Sequence, residues 1–171
     1  MTDLKNKALT YWETCKATSS TTLAMVPLRL YLGLFYYYTG SNKVMRGDFG
    51  LKWTDSMVRQ VEAAIPETYT WYAYFLENVV LVYPKTFTIL VAWGELLLSI
   101  ALLFGVSTRL AALLGAFMAF NFSLMSGREF WLPSFDTTLS VALLALGLSC
   151  AGRVFGLDQY FSKRWPNKFL W

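Results

Sequence analysis

Residues 86–125 read TFTILVAWGELLLSIALLFGVSTRLAALLGAFMAFNFSLM, two apolar runs hinged by GVSTR at 105–109, with Glu95 and Arg109 as the only charges. At 1.5 Å per residue each run approaches the roughly 30 Å of hydrocarbon in a bilayer, so the pair predicts a tight transmembrane hairpin. Gly94 and Gly105 in the first run and Gly115 in the second are small residues that permit close helix approach. Two more apolar runs flank the hairpin, and the spans are expected at about 23–43, 86–106, 108–126 and 134–152. The fold class that follows is an all-α membrane protein, a four-transmembrane-helix bundle with short interfacial helices between spans one and two. Residues 1–171 form a single integral membrane domain on this reading.

Composition agrees. Of 171 residues 56% are hydrophobic and only 15% charged, with 18% aromatic, which is too apolar for a soluble domain of this length. The first run begins at Leu23 after a polar lead containing Trp12, Glu13 and Lys16, and it continues to spanning length. It is therefore expected to act as its own insertion signal and not as a cleaved leader. A short amphipathic helix around 4–15 is expected in the lead, with Trp12 at the interface. The net charge of +4 is spread over both ends and the loops, which argues against nucleic acid and for contact with anionic membrane lipid.

The chain has no histidine, which excludes bis-histidine haem, histidine-ligated copper or iron, the usual zinc sites and a serine–histidine triad. No haem or metal is predicted. Cys15 and Cys150 form no C-x-x-C pair and are expected to be inert thiols.

Segment 44–85 is the longest connection. A short helix is expected at 56–64, capped by Thr54 or Asp55 and stopped by Pro66, followed by the aromatic stretch WYAYFLENVVLVYP at 71–84. Both are expected to cover one mouth of the bundle. Asp136 can begin the fourth helix, as a cap or as a polar residue entering the bundle. With four spans both ends share a side, and the Lys and Arg distribution places the termini in the cytoplasm. The tail SKRWPNKFLW suits a membrane surface.

A charge at mid-membrane costs about 2.5–3.5 kcal/mol on insertion scales, so Arg29 and Glu95 are expected to face the interior and to approach one another there. The successive tyrosines Tyr36, Tyr37 and Tyr38 cannot share one helix face, being about 100° apart. They form an interfacial belt, or one of them lines a ligand cavity. Arg29, Glu95 and Arg109 can equally form a structural polar network that fixes helix register, and Trp93 can be simple packing.

The phrases PLRLYLGLFYYYTGSNK at 27–43, AWGELLLSIALLFGVSTRLAALLGAFMAFNF at 92–122 and GRVFGLDQYF at 152–161 together resemble the DoxX family and its DoxD relatives. The resemblance rests on Arg29, Gly33, Gly40, Lys43, Glu95, the stretch 105–110, Gly152, Arg153, Leu157 and Asp158, in that order. It implies a four-helix protein of the prokaryotic cytoplasmic membrane. For the DoxD branch it implies the membrane subunit of a thiosulfate:quinone oxidoreductase, with quinone as exchangeable substrate and further redox-complex subunits as partners. The alternative is a non-catalytic anchor or assembly subunit of a larger redox complex.

On the redox reading Glu95 is the catalytic carboxylate, and Arg29, Tyr36, Tyr37, Tyr38, Lys43 and Trp93 are the substrate- or quinone-binding candidates. Arg29 with Lys43 is the cation set expected for a sulfur oxyanion. Arg109 and Asp136 are assigned to a structural polar network. The entrance is expected at 36–43, beneath the aromatic segment 71–83.

Overall fold

The computed structural model describes residues 23–127, 133–149 and 151–165. The expected amphipathic lead, Trp12, Cys15, Cys150 and the last residues of the basic tail lie outside them. Every regular element among the described residues is helical.

α1, Val26–Met45, opens with Pro27 in its first turn, where the missing N–H costs nothing. The chain then turns sharply through Asp48, Phe49 and Gly50, all at positive φ, into a 3₁₀ turn at Leu51–Trp53. α2, Thr54–Ala64, and α3, Thr70–Phe75, follow, and α3 runs into a π turn at Leu76–Val80. These fill the connection where short helices were expected. Neither Thr54 nor Asp55 caps α2 by its side chain: the Thr54 hydroxyl instead donates to Leu51 O at 2.8 Å.

α4, Pro84–Phe104, and α5, Thr108–Met125, form the hairpin, with Gly105 left-handed at the end of α4. α6, Phe135–Leu148, a 3₁₀ turn at Ala151–Arg153 and α7, Asp158–Arg164, complete the chain. α6 is capped by Ser134, whose hydroxyl accepts from Thr137 N at 3.1 Å, so Asp136 is released from that task.

One core joins four helices through Leu32 and Tyr36 of α1, Leu98 and Leu102 of α4, Ala112 and Ala116 of α5, and Leu143 and Leu146 of α6. α1 and α4 run antiparallel and nearly touch. A Cβ on Gly40 would sit 2.6 Å from Leu96 N, and one on Gly33 would sit 2.9 Å from the Leu103 side chain. A second cluster holds α2 and α3 over the end of α5 through Val61, Tyr72, Leu76, Val80 and Leu124, with Tyr72 Oη donating to Asn121 O at 3.1 Å.

The outward faces stay apolar. Leu90, Leu97 and Phe104 on α4 repeat every seven residues and are each more than half exposed, as are Leu114 and Phe117 on α5. A helix that is apolar inside and out suits lipid. α4 and α5 are long and apolar enough to cross a membrane; α6, with 14 residues, reaches about 21 Å.

Candidate functional site

The close approach at Gly40 brings the next turn of α1 against α4, and there Lys43 Nζ meets Glu95 Oε1 at 2.6 Å. Glu95 is 5% exposed, while the Lys43 side chain is 30% exposed and bridges the buried carboxylate to the surface. The other oxygen, Glu95 Oε2, is buried with no hydrogen-bond partner among the described residues. A buried carboxylate oxygen without a donor costs free energy that a purely structural pair would not need to bear.

Glu95 and Lys43 line a cavity of about 550 Å³. Its other walls are Gln60, Ala63 and Ala64 of α2, Glu67 beyond it, Phe122, Met125 and Ser126 at the end of α5, and Asp136 in the first turn of α6. Three carboxylates therefore face one ammonium. Tyr36 is buried one turn before Gly40. The arrangement can hold and exchange protons around a polar, uncharged group, and it disfavours an anion.

Several expectations need correction. Arg29 and Glu95 do not meet, because Arg29 lies at the opposite end of α1, fourteen residues or about 21 Å from Lys43 at 1.5 Å per residue. Arg29 and Lys43 cannot share one small anion for the same reason. Trp93 points outward, 37% exposed and stacked on Phe49 with ring centroids 6.4 Å apart. Tyr37 and Tyr38 are 45% and 73% exposed; of the three tyrosines the helix turn buries Tyr36 alone. α2 and Glu67 wall the cavity, and the aromatic segment 71–83 packs on the second cluster instead. Asp136 and Arg109 do not form one network, since Arg109 is buried at the start of α5, about 24 Å along that helix from Met125.

The opposite end is a clasp. Arg29, 1% exposed, donates from Nη1 to Ala151 O at 2.8 Å and Val154 O at 3.0 Å, and from Nη2 to Phe155 O at 3.0 Å. Asp158, also 1% exposed, accepts from Ser107 N at 2.6 Å and Thr108 N at 2.8 Å, so a carboxylate from α7 caps the first turn of α5. Burial pushes the Asp158 carboxyl above the ordinary carboxylate range, against the opposing pull of Thr108, Ser107 and Arg29. Gly105 and Gly152 make this packing possible, for a Cβ on the first would meet Gly156 Cα and one on the second would collide with Asp158 and Thr108. The GRVFGLD phrase is thus accounted for by closure of the fold.

Sequence reasoning missed Glu67 as a cavity wall and Lys43 as the partner of Glu95. The available signal for the pair was Gly40, one turn before Lys43.

A half-buried ion pair in the wall of a polar cavity, framed by helices with apolar outer faces, defines a membrane protein with a polar interior. The DoxX family model matches residues 24–125, and the chain belongs to the DoxX family. The match takes in α1 through α5 and so includes both Lys43 and Glu95. No curated protein and no solved structure matches the chain.

Proposed function

We propose that the chain is the membrane subunit of a quinone-linked oxidoreductase, with Glu95 as its proton-exchanging group. Family membership supports a membrane protein associated with redox chemistry. The observation that carries the finer reading is Glu95 itself: one oxygen fixed by Lys43, the other buried and unpartnered, beside a cavity of about 550 Å³.

The lining fits a quinone headgroup. Phe122 and Met125 offer apolar surface, Lys43 offers a donor, and the carboxylates offer proton-exchanging groups. A bound quinone supplies a two-electron, two-proton acceptor. Lys43 orients the Glu95 carboxyl and holds Oε1, leaving Oε2 as the atom at which a proton is held or released. Asp136 and Glu67, in the same lining, are placed to pass protons between Glu95 and water.

The excess of carboxylates makes the cavity a poor host for thiosulfate or a related sulfur oxyanion, so oxidation of that donor belongs to a partner subunit. α1, α4, α5 and α6 form a four-span bundle on this reading, in a prokaryotic cytoplasmic membrane with both termini in the cytoplasm.

The test is quinone reduction by the intact complex with thiosulfate as donor. Glu95→Gln should lower kcat by about 10²–10⁴, the usual contribution of a positioned acid–base group, with subunit composition unchanged. Wild-type turnover in that variant would defeat the proposal.

The exposed aromatic face of the covering segment, with Trp71, Tyr74 and Tyr83 each more than 60% exposed, favours a second reading as an anchor or assembly subunit. Loss of assembly on changing those rings, with no kinetic effect at Glu95, would assign the chain to it.

A further inference from the structure

Farther along α2 towards its first turn, beside the acidic cavity, lies one of opposite sign. It has a volume of about 440 Å³ and is lined by Arg46 where α1 ends, Lys52 and Trp53 of the 3₁₀ turn, and Asp55, Ser56 and Arg59 of α2. Three cations face one carboxylate, and none of the three has an ion-pair partner among the described residues.

We propose that this cavity binds a tetrahedral oxyanion of the phosphate or sulfate class, carried by an anionic lipid headgroup or free in water. Two guanidinium forks and an ammonium supply the charge, and Arg matches the paired oxygens of such a group bidentately. The Ser56 hydroxyl accepts from Gln60 Nε2 at 3.2 Å, which leaves its own proton available to a ligand. Convergence depends on the left-handed turn at Asp48, Phe49 and Gly50, which folds Lys52 and Trp53 back towards Arg46. The Trp53 indole lies directly on Gly47, where a Cβ would come within 2.6 Å of Nε1.

Depth agrees with a headgroup. Phe49, Trp53 and Tyr38, all more than 40% exposed, ring this end of α1 with the aromatic surface found at membrane–water boundaries. The two cavities share α2 but differ in sign, so an oxyanion repelled by the Glu95 side is attracted here. The site does not depend on the redox reading.

The test uses the full chain purified in zwitterionic detergent, with two probes. Native mass spectrometry compares retention of phosphatidylglycerol with phosphatidylcholine, and intrinsic fluorescence follows titration with inorganic phosphate. The variant combines Arg46→Gln, Lys52→Gln and Arg59→Gln; the control changes Lys163→Gln and Arg164→Gln, exposed cations elsewhere. At about fivefold per cation, the triple variant should bind its anion roughly 100-fold more weakly, and the control should not.

Selective loss of phosphatidylglycerol identifies a lipid headgroup, and selective loss of a saturable phosphate titration identifies a free anion. Should the triple variant not fold, Ser56→Glu places a carboxylate in the cavity and should abolish binding alone. Anion binding equal to wild type in the folded triple variant or in Ser56→Glu, or equally weakened in the control, overturns the proposal.

Discussion

Arg29 and Glu95 are both buried charges, each with one bare atom, Arg29 Nε and Glu95 Oε2, and they differ in how many bonds hold them. Arg29 donates to three carbonyls, whereas Glu95 engages one oxygen and leaves the other bare. Removing Arg29 strands three carbonyls, that of Ala151 fully buried, and each bond to a charged group is worth about 1.5–3 kcal/mol, so Arg29→Gln should destabilise the protein by roughly 3 kcal/mol or more. Glu95→Gln preserves shape and releases a lysine that water already reaches, so its stability cost should stay within about 1 kcal/mol. Thermal unfolding of the two variants checks this, and equal losses would make Glu95 a structural residue. Both charges were legible because each interrupts an apolar run. Their partners were not, because partnership depends on depth: antiparallel packing sets Gly40 against Leu96 and Gly105 against Arg29, so Glu95 faces Lys43 and Arg29 faces the C-terminal turn.

At the scale of elements, the apolar runs and Pro66 located the helices well, because lipid and proline constrain the backbone locally. Contacts between helices were harder to read, and the glycines show why. Gly94 was expected at a close approach, yet a Cβ there meets only Met118 Sδ at 3.7 Å, while Gly40 abuts the Leu96 backbone at 2.6 Å. A glycine is written the same way in either setting; only helix rotation distinguishes them. Gly40→Ala should therefore cost about 1–3 kcal/mol, because a neighbouring backbone cannot yield as a side chain does, and should disturb the Lys43–Glu95 contact. Gly94→Ala should raise stability by about 0.5–1 kcal/mol through the helix backbone alone. Thermal melts of the pair test the packing: a loss at Gly94 matching that at Gly40 would contradict the α1–α4 register. The cap of α6 followed the same pattern, since the sequence pointed to Asp136 and the geometry selects Ser134.

For the whole molecule, the clasp at Arg29 and Asp158 joins the first helix, the hairpin and the C-terminal turn. Because burial raises the Asp158 pKa, the folded state takes up a proton there more readily than the unfolded chain. This contribution to stability is present below the ordinary carboxylate pKa and declines as pH rises through the raised value. Relative to Asp158→Asn, which cannot titrate, the wild type should lose thermal stability as pH rises above the ordinary carboxylate range. A constant difference between the two melting curves over that rise would exclude the effect. The clasp also bears on how the protein is made. Arg29 leaves the ribosome 122 residues ahead of Ala151, the first of the carbonyls that receive it. At about 5–20 residues per second, the guanidinium waits roughly 6–25 s for its native acceptors. On the four-span reading, the first helix cannot settle into lipid on its own terms throughout that interval, and its arginine must stay beside water, headgroups or the insertion machinery until the carbonyls of 151–155 arrive to release it.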